Sequence, residues 1–274
     1  MRGLLKGMSP EVRRAQGLTG GMFSIAARVA LKEGVTFTAR LDYPEREIRM
    51  HVNSWKQLRR LYGPRKEPET VQYLGAHLKP GETFYDIGAN VGAFSFIAWA
   101  LTEGKSTIYA FEPGYATYAA LCDNVFLNNC SGAIIPLPFA LAAVSALESF
   151  HYSSLGAGEA FHALGASGDA RHHRWSQTVP AYRLDDMIAT FHLKPPQHIK
   201  IDVDGAEAAV VAGAEATLRS PELRSLLVEI DEGLDIAGAV GRAIENAGFR
   251  RVLRHPKNTR FGASPSANYI FERT

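Results

Sequence analysis

The stretch from Thr83 to Phe94 constrains the fold of this chain more than any other. It begins with apolar and β-favouring residues, reaches the carboxylate of Asp86, and then passes through a glycine-spaced turn into a helix-like run. This pattern predicts a buried strand, a tight turn and a helix. Such a junction binds ligands in open α/β sheets, because the carboxyl end of the strand and the free N–H groups of the helix face the same crevice.

The turn itself has the pattern Asp-x-Gly-x-Asn-x-Gly, from Asp86 through Gly88 and Asn90 to Gly92. Glycines leave room for a ligand to approach the backbone, and Gly88 can adopt a positive φ. The carboxylate precedes the first glycine, which suits a ligand with a positively charged end better than a pyrophosphate. The pattern resembles the first motif of Rossmann-like S-adenosylmethionine (SAM) methyltransferases. By itself it is also compatible with an ordinary strand-to-helix turn capped by Asn90.

Length and composition narrow the class of protein. The 274 residues suffice for one large α/β domain, and 30 basic against 28 acidic side chains give a net charge of +2. This balance does not favour nucleic acid or an anionic membrane as a partner. No apolar run approaches the roughly 20 residues that span a bilayer. Cys122 and Cys130 lack metal-ligand spacing and the density of a secreted disulfide scaffold, so we expect a cytoplasmic protein.

The chain divides into two parts of different regularity. Residues 1–65 are predicted to form an N-terminal extension, helical with one short hairpin, which either covers the substrate side or is a structural cap. In residues 66–274 strand and helix patterns alternate, which predicts a mostly parallel, doubly wound sheet. The run 133–141 contains two prolines and is expected to be irregular, and one helix is expected over 205–218. The sequence does not indicate an oligomeric state.

Two further acidic segments follow predicted strands at the same edge of the sheet. Glu112 comes 26 residues after Asp86, where a carboxylate can accept both hydroxyls of a ribose. The other segment has three carboxylates within six residues. Asp204 is predicted to be the N-cap of the following helix, which leaves Asp202 to face the cofactor or substrate pocket.

Taken together, these segments resemble FkbM-type SAM-dependent methyltransferases over about residues 67–273. The family usually has Glu where this chain has Asp204, and often Ser-Asp where it has Ala142-Ala143. The second departure leaves the adenine contact to the backbone near Ala140. The matching motifs are Asp86–Gly92, Phe111–Pro113, Leu184–Met187, Ile199–Glu207, Val228–Ile230 and the closing strand Asn268–Phe271.

The resemblance implies an α/β architecture, the Rossmann-like class I methyltransferase fold, with a mostly parallel seven-stranded sheet and helices on both faces. It also implies transfer of a methyl group from SAM, usually to a hydroxyl oxygen of a small molecule such as a sugar or polyketide. The cofactor-binding residues that we expect are Asp86, Gly88, Asn90, Gly92, Glu112, Pro113, Ala140 and Asp202.

A hydroxyl acceptor needs a group that removes its proton. We expect Asp202 to be this base, with His172 as the alternative. His162 and His173, which lie in the same predicted loop, are further candidates.

A metal site is a separate question. The spacing of the histidines, of which His151 is the first, matches no zinc pattern. Asp202, Glu229 and Asp231 follow adjacent predicted strands and could by analogy hold Mg²⁺, whose preferred ligands are oxygens. We do not favour either metal site.

Two other classes of protein remain as alternatives. An NAD(P)-linked oxidoreductase is disfavoured, because no Gly-x-Gly-x-x-Gly follows a predicted strand. A non-catalytic SAM-binding module would be expected to lose the polar residues around Asp202, which this chain retains.

Overall fold

The computed structural model describes residues 36–158, 163–165, 175–233, 236–259 and 262–274. Its strands are β1 (Thr38–Arg40), β2 (Arg49–His51), β3 (Thr83–Ile87), β4 (Thr107–Phe111), β5 (Ile134–Leu137), β6 (Ala140–Leu141), β7 (Ala146–Tyr152), β8 (Ala163–Leu164), β9 (Trp175–Tyr182), β10 (His198–Ile201), β11 (Ser225–Asp231), β12 (Phe249–Thr259) and β13 (Gly262–Arg273). Its helices are α1 (Trp55–Arg60), α2 (Gly63–Lys66), α3 (Pro68–His77), α4 (Ala93–Leu101), α5 (Tyr115–Leu127), α6 (Leu184–Phe191), α7 (Glu207–Ala212), α8 (Glu215–Arg219) and α9 (Ile236–Asn246).

The main sheet has seven strands in the order β5-β4-β3-β10-β11-β13-β12. Neighbouring strands are parallel except at β13, which is antiparallel to both β11 and β12. The order reverses between β3 and β10, because the chain first adds strands on one side of β3 and then on the other. Open sheets bind ligands at such a switch point, outside the carboxyl ends of the strands. The predicted seven-stranded, mostly parallel sheet is therefore confirmed.

Helices cover both faces of this sheet and bury one apolar cluster on each. On one face α3, α4 and α5 contribute Tyr73, Phe96 and Leu121. On the other face α6 and α9 contribute Met187 and Ile244. Strands that are covered on both faces need apolar residues almost throughout, which is the pattern of β4, where Ile108 to Phe111 are buried and apolar or aromatic. No helix in the described part of the chain is long and apolar enough to cross a membrane.

The β1–β2 hairpin belongs to the first of these clusters. Ile48 and Met50 are fully buried in it. The Asn124 side chain of α5 accepts a hydrogen bond from the His51 N–H at 2.8 Å. The described part of the predicted extension, residues 36–65, therefore shares the core of the larger domain, and the boundary at residue 65 stays a prediction.

A second, four-stranded sheet has the order β6-β9-β7-β8. The run 133–141 supplies a strand to each sheet, because β5 pairs with β4 and β6 pairs with β9. Pro138 lies between these two strands, where its missing N–H removes no ladder hydrogen bond. The loop histidines His162, His172 and His173 lie outside the described residues.

The helix predicted over 205–218 is wrong in one respect, because it divides into α7 and α8. A Cβ atom on Gly213 would lie 2.1 Å from the Ala142 carbonyl oxygen, so the chain between the two helices presses against the turn before β7. The Asp185 carboxylate then accepts hydrogen bonds from the N–H groups of Ala216 (2.8 Å) and Thr217 (2.9 Å). A tertiary contact and a carboxylate from α6 thus start a new helix.

The capping role predicted for Asp204 is also wrong. The N-cap position of α7 is Ala206, and Asp204 lies before it with a φ of 53°. Glu207 instead reaches back, and its Oε1 accepts hydrogen bonds from the N–H groups of Gly205 (3.0 Å) and Val203 (3.3 Å). The longer side chain within the helix therefore satisfies the donors of the turn.

Candidate active site

The turn after β3 is held closely by the protein itself. Gly88 has a φ of +81°, and a Cβ atom there would lie 1.9 Å from the Asp202 carbonyl oxygen. The N–H groups of Gly88 and Ala89 both donate to the Phe111 carbonyl, at 3.0 and 2.9 Å. The missing Cβ therefore permits a close approach of two strand ends, whereas the sequence interpretation had assigned that space to a ligand.

The start of α4 offers free donors beside this turn. Gly92 occupies the N-cap position with a φ of +95°, and Asn90 is also left-handed, with a φ of 51°. The N–H groups of Ala93 and Phe94 fall in the first turn and have no hydrogen-bond partner among the described residues. Such a helix N-terminus favours an anionic group.

Asp86 is buried beneath the turn. Its Oδ2 accepts a hydrogen bond from the Ser95 hydroxyl at 2.6 Å, and its Oδ1 lies 3.8 Å from Lys200 Nζ. Burial raises the pKa of Asp86, although the charge of Lys200 opposes that shift. The cationic partner of this carboxylate is thus a lysine of the protein. Its predicted contact with a ligand stays a prediction.

Glu112, after β4, joins two loops at the crevice. One carboxylate oxygen accepts from the Gly114 N–H at 2.8 Å and the other from the Asn90 N–H at 3.1 Å. Burial raises the pKa of Glu112 to about 7, even though both hydrogen bonds favour the ionised form. The side chain is therefore a buried acceptor that changes charge near neutral pH.

A row of lysine and carboxyl side chains crosses the ends of β10 and β11. Lys200 Nζ donates to Asp202 Oδ2 at 2.9 Å and lies 5.3 Å from the centre of the Phe94 ring. Lys257 of β12 pairs with Glu229 and, at 3.2 Å, with Glu67. Two lysines and the carboxylates between β3 and β12 therefore form one connected cluster.

Asp202 and Glu229 in this cluster have different protonation states at neutral pH. Burial would raise the pKa of Asp202, but the charges of Lys200 and Lys257 outweigh it and hold that pKa well below the ordinary value. Burial and the neighbouring Asp202 charge raise the pKa of Glu229 to about 9. At neutral pH Asp202 is therefore ionised, while Glu229 holds a proton.

The three carboxylates considered for Mg²⁺ all have partners within the protein. Asp202 contacts Lys200, and Glu229 contacts Lys257. Asp231 Oδ1 accepts a hydrogen bond from the Gly233 N–H at 2.8 Å. Among the described residues no group of three or more His, Cys, Asp or Glu side chains is arranged to hold a metal ion.

Two cavities open at the switch point and meet at Gly88. The first, of about 380 Å³, is apolar and extends under the small sheet. It is lined by Ile87, Gly88, Phe111, Pro113, Phe139, Ala140, Leu141, Phe150, Leu164, Val203 and Ala206.

The second cavity, of about 650 Å³, is charged and extends towards α1 and α2. Seven of its fourteen lining side chains are ionisable, in contrast to none in the apolar cavity. It is lined by Arg59, Arg60, Gly63, Lys66, Glu67, Gly88, Ala89, Asn90, Val91, Ala93, Phe94, Lys200, Asp202 and Asp204.

Most of the predicted site residues come together around these cavities. Gly88, Pro113 and Ala140 line the apolar cavity, and Gly88, Asn90 and Asp202 line the charged one. Asp86, Gly92 and Glu112 lie behind the surface and hold the turn in place. His172 falls outside the described residues, and His151 lies on β7, opposite Ala163 and Ser176.

Sequence reasoning gave no role in the site to several cations. Lys200 had a readable signal, because a lysine flanked by isoleucines in a buried strand requires charged partners. Arg59, Arg60 and Lys66 lie in a visibly basic segment, but nothing local indicates which way it faces. Lys257 reaches Glu67 across 190 residues of sequence, and no local pattern predicts that contact.

The strand order and the position of the switch point are those of the class I, Rossmann-like methyltransferase fold. The methyltransferase FkbM domain matches residues 86–251, and the chain belongs to that family. Family membership also disfavours the alternative of an NAD(P)-linked oxidoreductase.

Relatives of known name agree with this assignment. A hexuronic acid methyltransferase from Haloferax volcanii is 27% identical over 187 residues, which cover 68% of this chain and 72% of that protein. The 31-O-demethyl-FK506 methyltransferase of Streptomyces tacrolimicus is 27% identical over 192 residues, covering 62% and 72%. The crystal structure of a methyltransferase FkbM from Methylobacillus flagellatus has a TM-score of 0.50 at 12% identity, covering 92% of this chain and 71% of that chain.

Proposed function

We propose that this protein transfers the methyl group of SAM to a hydroxyl oxygen of a small-molecule acceptor. The observation that carries the proposal is the pair of cavities that meet at Gly88, one apolar and one charged. SAM has an apolar adenine at one end and a zwitterionic methionine at the other. A ligand of this kind needs two adjoining environments of opposite character.

The residues present fit this cofactor. The apolar cavity, with Pro113 and Ala140 on its wall, would hold the adenine. We assign the ribose hydroxyls to the buried Glu112 carboxylate, which accepts from the Asn90 N–H beside the charged cavity and adjoins Pro113 of the apolar one. The free N–H groups of Ala93 and Phe94 would hold the methionine carboxylate. When bound, SAM supplies an electrophilic methyl group on a positively charged sulfur.

Asp202 is the group that we assign to the acceptor hydroxyl. Its carboxylate lines the charged cavity and stays ionised because Lys200 donates to it at 2.9 Å. An ionised carboxylate can accept the hydroxyl hydrogen bond and thereby orient an oxygen lone pair for in-line displacement. Transfer would form the new O–C bond as the methyl–sulfur bond breaks, which would leave S-adenosylhomocysteine and a positively charged oxygen whose proton is strongly acidic. A base with a low pKa can then accept that proton.

The relatives suggest which acceptors to try first. One is named for a hexuronic acid and the other for 31-O-demethyl-FK506. Both names fit a hydroxyl-bearing small molecule, and a hexuronic acid is the simpler probe.

Calorimetric titration with S-adenosylhomocysteine and, separately, with NADH tests the cofactor assignment. We expect binding of S-adenosylhomocysteine and none of NADH, because the apolar cavity has no Gly-x-Gly-x-x-Gly turn beside it for a pyrophosphate. Absence of S-adenosylhomocysteine binding at millimolar ligand would refute the proposal.

The variant Asp202→Asn separates an enzyme from a binding module. We expect its affinity for S-adenosylhomocysteine to stay within a few-fold of the original, while methyl transfer falls by about 100-fold or more, in the range of a lost general base. The variant Asp186→Asn, on the exposed side of α6, is the matched control and should retain transfer. Loss of cofactor binding in Asp202→Asn would instead assign this side chain to SAM.

A further inference from the structure

Three cations from α1 and α2 stand on one wall of the charged cavity. They are Arg59, Arg60 and Lys66, and all three precede the segment that matches the FkbM domain. Asp202, Asp204 and the start of α4 line the same cavity. The three cations therefore reach the site from outside the matched segment.

Arg60 already interacts with residues beside the proposed cofactor site. Its Nε donates to the Gly158 carbonyl at 3.0 Å, and its charge lowers the pKa of Glu112, against the effect of burial. We therefore do not include Arg60 with the other two cations as a candidate for binding a further anion.

Neither Arg59 nor Lys66 forms an ion pair with a carboxylate among the described residues. The Arg59 guanidinium makes no ion pair with the described residues, and Lys66 Nζ reaches only the Arg59 carbonyl, at 3.5 Å. Burial and the charges of Arg59 and Arg60 lower the pKa of Lys66, and the neighbouring Glu67 opposes this only in part. Glu67 is itself held by Lys257. The two cations are thus crowded together, and a bound anion would relieve their repulsion.

The adjacent Arg65 shows the contrast within the same helix. Arg65 Nε lies 3.0 Å from the Asp42 carboxylate, and Arg65 is absent from the cavity wall. All three side chains are exposed, so what separates them is the partner: Arg65 is paired with Asp42, whereas Arg59 and Lys66 have no ion pair with the described residues.

The methionine carboxylate of SAM does not require this pair. The free N–H groups of Ala93 and Phe94 lie on the same cavity and already provide an anion site.

We propose that the methyl acceptor carries an anionic group, a carboxylate or a phosphate, which Arg59 and Lys66 bind while Asp202 accepts its hydroxyl. This inference rests on the proposed function and names the substrate class of the same site. An arginine next to a lysine suits either anion, because the guanidinium can donate two parallel hydrogen bonds and the ammonium adds a point charge.

The test is a calorimetric titration of the full-length protein saturated with S-adenosylhomocysteine. The probes are glucuronate, glucose 6-phosphate and glucose, which share a ring and differ in charge at one end. We expect one of the two anions to bind at least about 10-fold more tightly than glucose, as one charge-assisted hydrogen bond allows. Whichever anion binds distinguishes a carboxylate from a phosphate acceptor.

Two variants then test whether Arg59 and Lys66 cause the preference for the anion. Arg59→Gln and Lys66→Gln should each reduce the preference for the anion by about 10-fold and leave the affinity for S-adenosylhomocysteine unchanged. Arg65→Gln removes the same charge from the same helix, paired with Asp42, and should change neither.

Three results would overturn the inference. Glucose binding as tightly as the tighter of the two anions would show that the charge is not recognised. A fall in S-adenosylhomocysteine affinity in Arg59→Gln would assign that cation to the methionine carboxylate. Failure of S-adenosylhomocysteine to bind the original protein would refute the proposed function itself, a separate outcome read before any probe is added.

Discussion

The two cavities differ in where their walls come from. Every residue of the apolar cavity lies between Ile87 and Ala206, inside the segment that matches the FkbM domain. The charged cavity adds Arg59 to Glu67 from the N-terminal side, and Lys257 from β12 supports it from the other side. The apolar cavity, which we propose for the adenine, is thus built within the matched segment, whereas the cations that we propose for the acceptor lie outside it.

This difference teaches where specificity is to be sought. Under the proposed function the apolar cavity needs only shape and a few backbone groups, because adenine is the same in every SAM molecule. The charged cavity would also have to match an acceptor, and its cations lie on short helices that the strand-and-turn motifs do not fix. A change at Gly88, where the cavities meet, should therefore affect both cavities. A change within one cavity should affect that cavity alone.

The largest effect is expected at the meeting point, in Gly88→Ala. The new Cβ would lie 1.9 Å from the Asp202 carbonyl oxygen, and the φ of +81° is unfavourable for alanine. Together, strain and overpacking should cost about 5 kcal/mol in the free energy of unfolding, near the upper end of both effects. Urea denaturation measures that loss, and calorimetry should show that any folded fraction no longer binds S-adenosylhomocysteine.

The control for this change is Gly81→Ala. Gly81 has a similar φ of +91°, but nothing lies within 4 Å of its Cβ position. Only the unfavourable backbone conformation remains, so we expect the free energy of unfolding to fall by about 1 kcal/mol. S-adenosylhomocysteine should bind normally. Equal losses in the two variants would show that the strand ends are not in close contact at Gly88.

The next largest effect is expected from Lys200→Met, which removes the cation shared by Asp86 and Asp202. Leaving buried carboxylates unpaired should cost about 3 kcal/mol at pH 7, the low end for such pairs because the Asp202 side chain is 26% exposed. The loss should shrink towards pH 5, since protonation of the carboxylates removes the unpaired charge. Urea denaturation over this pH range measures both.

Lys194→Met provides the comparison for that variant. Lys194 is exposed and its Nζ donates to the Thr107 hydroxyl at 3.1 Å. Its loss should change the free energy of unfolding by no more than about 0.5 kcal/mol. A Lys200→Met protein as stable as Lys194→Met, at every pH, would contradict a structural role for the charge cluster.

The smallest effect is a pH dependence of cofactor binding through Glu112. Its pKa of about 7 means that the free protein holds a proton there at lower pH. If the ionised carboxylate accepts the ribose hydroxyls, binding releases this proton. Affinity for S-adenosylhomocysteine should then rise about tenfold per pH unit below 7 and level off above it. Calorimetry in buffers of different ionisation enthalpy would also count the proton.

Glu112→Gln is the matched variant for the pH experiment. It should bind about 10-fold more weakly above pH 7 and show no step near that pH, because it has no proton to release. A step that persists in the variant would have to come from another group.

Local sequence determined much of this architecture. β4 and β11 were predictable because each contains a continuous apolar run, from Ile108 to Phe111 and from Leu226 to Val228, as strands buried on both faces do. The turn from Asp86 to Gly92 was predictable because its glycines and carboxylate lie within seven residues. The position of Asp202 at the crevice followed from the strand pattern alone.

What could not be predicted depends on distant segments. The break between α7 and α8 requires the contact of Gly213 with Ala142. The pKa of Asp202 is lowered by Lys200 of its own strand and further by Lys257, which a different strand brings into place. The capping error at Asp204 arose because Glu207 competes for the same donors, and only the folded geometry decides between them.

The position of β13 bears on how the protein forms during synthesis. β13 lies between β11 and β12 although it follows both in the chain. A ribosome that adds about 5–20 residues per second needs roughly 2–8 seconds to proceed from Asp231 to Arg273. During that interval the edge of β11 is without its final neighbour, and an unpaired edge invites association with other chains. Newly made protein should therefore be most vulnerable to aggregation in this brief window.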